Sequence, residues 1–216
     1  MPAPTAVPGS VTDLLGLVAY GELLAFDRIA ADARLAPDLR RRALLSEMAA
    51  KKIGSYRRLA DRIVELGADP GAAMAAYVDA LQAYHDSTEP KDWLEAVTKA
   101  YVGDAIADDF FREIAGSLAE PDRRLVLDVL HDPQYDEFAG GEIRAAIAAD
   151  PKVANRLSMW ARRLVGEGLS QAVRVAGERD ALTALVVART GGEVSELFTR
   201  LTTAHTSRMA AVGLNN

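Results

Sequence analysis

The stretch K-I-G-S-Y-R-R-L, residues 52 to 59, lies in the middle of a long amphipathic helical pattern. Apolar residues recur on both sides of it at intervals of three and four, as the buried face of a helix requires. This spacing puts Lys52 at a position where an apolar side chain is expected. The sequence therefore predicts a helix that directs a lysine toward its own core.

The rest of the chain also consists of helical segments, which are separated by breaks at proline and glycine. No period-2 alternation of any length lies between the breaks, so no strand is predicted and the fold class is all-α. Residues 85–90, including His85, are expected to form a loop. Seven helices are predicted, over about 11–34, 36–66, 70–84, 90–118, 121–149, 151–188 and 193–212.

The length of the chain and of its helices predicts the architecture. Residues 1–10, which include three prolines, are expected to form a flexible N-terminal tail, and residues 11–216 a single helical domain. Two long hairpins joined by a crossover would make a four-helix bundle, with additional C-terminal helices packed outside it. A plain antiparallel array without the crossover is the alternative.

Composition excludes several classes of protein. The chain has no cysteine, which rules out disulfides, thiolate metal sites and a cysteine nucleophile. No apolar run approaches the roughly 18 residues of a membrane span, and the N-terminus does not resemble a secretory leader, so a cytoplasmic location and no membrane partner are expected. The net charge of -6 is spread along the chain, which makes nucleic acid an unlikely partner. No physiological partner is evident, and a homo-oligomer stays open.

Each of the four long helices carries an ionisable residue near the middle of its buried face. The residues are Glu22, Lys52, Asp104 and Asp132, although Pro133 leaves the phase of the last helix open between Asp128 and Val129. The separations of 30 residues (52 − 22) and 28 residues (132 − 104) suggest that the two halves repeat one hairpin. Burying an unpaired carboxylate costs several kcal/mol, so such groups persist when paired or bound to metal.

Three segments carry a resemblance to a known family: A-Y-G-E-L-L-A-F (19–26), K-A-Y-V-G-D-A-I-A-D-D-F (99–110) and L-T-T-A-H-T-S-R-M (201–209). They resemble an actinobacterial branch of the ferritin-like superfamily, the proteins similar to tRNA 2-methylthio-isopentenyladenosine hydroxylase. The resemblance covers nearly the whole chain after residue 10. It implies a ferritin-like four-helix bundle in which a Glu and a Glu-x-x-His pair, repeated once, hold two iron ions.

The ligand positions that the resemblance implies are only partly filled in this sequence. Lysine and serine stand where the second helix should supply Glu and His, and a tyrosine replaces the other His. His85, His205 and His131 do not repair the loss, because they fall in a loop, in the last helix and one turn early. The six positions are Glu22, Lys52, Ser55, Asp104, Asp132 and Tyr135.

These replacements predict a degenerate metal site. Lys52 would replace the metal charge by pairing with Glu22 and Asp104, while Ser55 and Tyr135 donate hydrogen bonds to the same carboxylates. The expected function is that of a metal-free paralogue with a binding or structural role and no cofactor. The competing interpretation is that Lys52 extends along the bundle into solvent and no such site exists.

Two other functions stay open. The chain could be a di-iron oxygenase or hydroxylase with an unusual ligand set, but hard oxygen ligands alone favour magnesium, calcium or manganese over iron. It could also be a helical interaction module that shares only the fold with the family. If two iron ions bind, their ligands would be Glu22, Asp104, Asp108 and Asp132, with Glu47, Asp136 or Glu137 as further candidates.

Overall fold

The computed structural model describes residues 8–130, 133–178, 180–191 and 194–215. Within these ranges every regular element is helical, which confirms the all-α prediction. A 3₁₀ turn (Ala33–Leu35) follows the first helix, and a π-helical turn (Lys99–Asp104) joins the fifth to the sixth. The α-helices are α1 (Pro8–Asp32), α2 (Leu39–Glu65), α3 (Pro70–Ala75), α4 (Val78–Ser87), α5 (Trp93–Thr98), α6 (Ala105–Ala115), α7 (Asp122–Leu130), α8 (Pro133–Ala149), α9 (Lys152–Glu178), α10 (Asp180–Thr190) and α11 (Val194–Ala211).

The helix boundaries follow local capping chemistry. Asp38, Asp69 and Asp92 precede α2, α3 and α5, and each side chain accepts the backbone N–H of the residue three positions on, at 2.7 to 2.9 Å. Gly67 adopts the left-handed conformation (φ 80°) just after α2, as its position in the sequence predicted. These caps account for the chain's long helices starting and ending close to where the sequence placed them.

Several predicted boundaries were wrong. The helix α1 begins at Pro8, so residues 8–10 are helical rather than part of the tail, while residues 1–7 lie outside the described ranges. The predicted loop at 85–90 starts too early, because His85 belongs to the last turn of α4. That turn is held by the hydroxyl of Thr88, which donates to the Tyr84 carbonyl at 2.6 Å. Short breaks also split four of the seven predicted helices, which sequence periodicity does not resolve.

Contacts along α7 and α8 establish the topology of the bundle. Arg41 contacts Glu142 and Arg62 contacts Asp122, so α2 runs antiparallel to α7–α8. The Trp93 indole N–H donates to Glu142 at 3.0 Å and Arg112 donates to the Leu130 carbonyl, so the segment 93–115 is antiparallel to α7–α8 as well. The second and third long helices are therefore parallel to each other. Such a pair needs the crossover, here through α3 and α4, as predicted.

The buried apolar residues form two clusters instead of one continuous core. On each of three bundle helices, residues of the first cluster and residues of the second flank a short polar interval. The intervals contain the ionisable positions singled out by the sequence, so a polar layer divides the core. The flanking pairs are Ile29 and Ala19 on α1, Met48 and Leu59 on α2, and Val102 and Ile114 on the third long helix.

None of the helices in the described ranges combines the length and apolarity that crossing a bilayer requires.

Candidate functional site

The centre of the polar layer is an ion pair between α1 and α2. Lys52 Nζ lies 2.9 Å from Glu22 Oε1, and the two side chains are 20% and 6% exposed. The other carboxylate oxygen, Glu22 Oε2, is buried and meets no described group with hydrogen-bond geometry. Burial raises the pKa of Glu22, although the charge and hydrogen bond of Lys52 and the hydroxyl of Ser55 act to lower it.

Lys52 is enclosed yet keeps its charge. Burial by itself would lower the pKa of its ammonium, but Glu22, Asp108 and Asp104 together raise that pKa above its ordinary value. The side chain therefore ends against a carboxylate of the layer and does not extend freely into solvent.

Asp104 and Asp108 complete this side of the layer from the third long helix. Burial raises the pKa of Asp104 to about 6 and that of Asp108 to about 8, with Lys52 opposing both shifts. Lys52 interacts with both acids at longer range, since within the described ranges neither forms an ion pair with it. The expected direct pairing of Lys52 with Asp104 is thus absent, and Asp108 holds a proton at neutral pH.

The fourth bundle helix is only partly described at this level. Asp132 and His131 lie outside the described residues. Tyr135 is half-buried and packs against the first apolar cluster. One turn earlier, Val129 takes the core position, whereas Asp128 is exposed and contacts Arg58 at 3.2 Å, which settles the phase of this helix.

The proposed substitute ligands are dispersed. Glu47 on α2 and Asp136 and Glu137 on α8 are exposed, so only Asp108 joins the polar layer. Over the part of the chain that the structure describes, no three His, Asp or Glu side chains are grouped as a metal ion would need.

A second buried lysine, which the sequence did not reveal, lies next to this layer. Lys99 is 5% exposed, donates to the Thr88 carbonyl at 2.9 Å and stands over the Tyr84 ring, 5.4 Å from its centroid. Lys99 and Asp104 are the first and last residues of the π turn. The i→i+5 bonding of such a turn places residues five apart on one face, whereas the 3.6-residue period separates them. No helical pattern in the sequence could have shown this.

The surroundings of Lys99 are polar but loosely paired. Burial lowers the pKa of Lys99 to about 8, against the opposing influence of Asp104 and Asp32. Burial likewise raises the pKa of Asp32 to about 6. It lowers the pKa of His85 to about 3, with help from the positive charges of Lys99 and Arg28. These groups influence one another mainly through desolvation and charge rather than through close ion pairs.

The two antiparallel hairpins, the crossover and the polar layer at mid-bundle define a ferritin-like protein. A family profile described as a ferritin-like domain of actinomycetes matches residues 7–189. The match spans most of the chain, and the chain therefore belongs to this actinomycete ferritin-like family. Among curated proteins, none matches the sequence significantly.

Proposed function

We propose that the chain is a metal-free ferritin-like protein, related to the tRNA hydroxylase-like branch, with a binding or structural role. In this proposal the charges of the polar layer replace a di-iron centre. The observation that carries it is the 2.9 Å contact between Lys52 Nζ and Glu22 Oε1. The ammonium occupies the sequence position of a family carboxylate ligand and neutralises a second one.

The residues of the layer do not fit a pair of iron ions. A protonated lysine has three donors and no lone pair, so it cannot ligate a metal, and its charge repels a dication. The two described histidines are elsewhere: His85 lies in the cluster around Lys99 and His205 lies on α11. Of the six expected ligands, the described part of the layer retains the carboxylates Glu22 and Asp104.

Charge compensation without metal is built into the same residues. Lys52 supplies a cation to Glu22, and a bound proton supplies the compensation for Asp108, whose pKa burial raises to about 8. Because buried carboxylates need a cation or a proton, these two devices remove the need for metal in folding. The retained bundle then serves as a scaffold for binding, and oxygen chemistry is lost.

Metal analysis of protein purified from iron-supplemented cells tests the proposal. We expect well under one iron per chain and no oxo-bridged di-iron absorption after ferrous iron and oxygen are added. The triple variant Lys52→Glu, Ser55→His, Tyr135→His should gain iron, because it restores four carboxylates and two imidazoles at the family positions. A control with Lys51→Glu, on the exposed neighbour of Lys52, should stay iron-free. About two irons per wild-type chain would overturn the proposal.

The alternative function, a di-iron oxygenase with an unusual ligand set, has one observation in its favour. Acids outnumber the lysine in the layer, because Glu22, Asp104 and Asp108 face a single Lys52. Stoichiometric iron with redox-active spectra in the unaltered chain would establish that function in place of the first.

A further inference from the structure

Lys99 is the most enclosed lysine of the chain. Of the five lysines in the sequence, Lys51, Lys91 and Lys152 are exposed and Lys52 is 20% exposed, whereas Lys99 is only 5% exposed. It is held at the start of the π turn and points toward the end of α4.

The amine of Lys99 has few partners. It makes one hydrogen bond, to the Thr88 carbonyl, and faces the Tyr84 ring. No carboxylate of the described residues comes within ion-pair distance of it, although Asp32, Asp104 and Glu89 act on it at longer range. A lysine ammonium carries three donors, so the site leaves two of them without a protein acceptor.

The charged groups that surround Lys99 do not offset the cost of burying its charge. Arg28 and Asp32 face it from α1, Tyr84 and His85 from α4, Glu89 from the following loop, and Asp104 from the π turn; Arg163 and Glu167 of α9 border the same region. Burial dominates and lowers the pKa of Lys99 from 10.5 to about 8. Near pH 7 this shift enlarges the neutral, nucleophilic fraction of the amine by about a hundredfold over an ordinary lysine.

We propose that Lys99 is a reactive amine that forms an imine with small neutral aldehydes, and is thus a covalent modification site inside the bundle. The nitrogen lone pair attacks the carbonyl carbon, a C–N bond forms, and a proton moves from nitrogen to oxygen to give the carbinolamine. The C–O bond then breaks and one water leaves, so amine and aldehyde become imine and water. No oxidant or reductant is needed.

The geometry restricts the electrophile to a small, uncharged molecule. Lys99 packs against Tyr84, and a Cβ added at Gly103 would collide with the Tyr84 hydroxyl, so the wall opposite the amine has no room for a branched group. A charged aldehyde would also lose its hydration on entering a site as enclosed as this one.

Reductive trapping with acetaldehyde and cyanoborohydride tests the proposal on the native full-length chain. Ethylation of each lysine is followed by peptide mass mapping between pH 6 and 9. We expect Lys99 to react at least about tenfold faster than Lys152 at pH 7.5, with a rate that levels off above about pH 8. Lys52, which is enclosed but paired with Glu22, is the matched control and should react more slowly than Lys152.

Two outcomes would overturn the proposal. One is that Lys99 is ethylated no faster than Lys152. The other is that Lys99 and Lys52 are ethylated in parallel, which would mean that both react only when the bundle opens. In Lys99→Arg the fast phase should vanish while Lys152 keeps its rate. If that variant does not fold, the site-resolved rates of the wild-type chain decide alone. None of these outcomes depends on whether the chain binds iron.

Discussion

Lys52 and Lys99 are two enclosed lysines of one bundle whose electrostatic properties are opposite. Lys52 touches Glu22 at 2.9 Å and its pKa is raised. Lys99 touches only a carbonyl and an aromatic ring, and its pKa falls to about 8. Burial disfavours the charge of both ammonium groups, so the difference comes from the carboxylate in direct contact with one of them. Enclosure therefore does not decide the state of a lysine, whereas its nearest partner does.

Removing the cation of the paired lysine should have the largest effect. Lys52→Met leaves Glu22 buried without a partner, and breaking a buried pair from one side costs about 3 to 5 kcal/mol. Denaturant unfolding at pH 7 should show this loss. The loss should shrink as the pH falls, because the orphaned Glu22 then takes up a proton. Lys51→Met, on the exposed neighbour, is the control and should change stability by less than about 1 kcal/mol. Equal effects of the two variants would contradict the comparison.

Removing the carboxylate should make Lys52 resemble Lys99. Glu22→Gln keeps the shape of the side chain but removes its charge, which should destabilise the chain by about 2 kcal/mol. The pKa of Lys52 should fall, because burial would no longer be outweighed by a contacting carboxylate. Site-resolved ethylation should detect this as faster labelling of Lys52 at neutral pH. Unchanged labelling of Lys52 would show that Glu22 does not set its charge state. Glu47→Gln, on the exposed face of α2, serves as the control.

The unpaired lysine should give stability a distinctive pH dependence. The folded pKa of Lys99 is lowered to about 8, so between about pH 8 and 10.5 the unfolded chain binds a proton that the folded chain does not. The contribution of Lys99 to the free energy of unfolding should therefore rise with pH across this window, by at most about 3 kcal/mol. In Lys99→Met this contribution should disappear, at a cost of about 1 kcal/mol for the lost hydrogen bond to Thr88. Identical pH profiles for the wild type and the variant would refute the shift.

A buried acid that is not paired should be slightly unfavourable. The pKa of Asp108 is raised to about 8 by burial, so from about pH 4 to 8 the unfolded chain gives up a proton that the folded chain keeps. Stability from this group falls as the pH rises through that window. Asp108→Asn should therefore stabilise the protein at pH 7, by about 1 kcal/mol, and have little effect near pH 4. Destabilisation at pH 7 would indicate that ionised Asp108 supports Lys52.

Local sequence patterns were sufficient for most of the scaffold. The 3.6-residue period identified the buried faces of α1 and α2, and the aspartate caps placed the starts of three helices. The same period placed Glu22 and Lys52 on facing sides of one hairpin, where the structure joins them. These features depend on neighbours within one or two helical turns, and such neighbours are visible in a linear sequence.

Other features depended on groups that are distant in the chain. The π turn shifts the helical phase and brings Lys99 to the interior beside Tyr84, a placement that no regular period encodes. The phase of α7 also needed the tertiary structure, which buries Val129 and leaves Asp128 to contact Arg58. The sequence by itself determined which residues face inward in the regular helices. Only the packed bundle decided which buried charges meet, because desolvation and Coulomb energies depend on distances between helices.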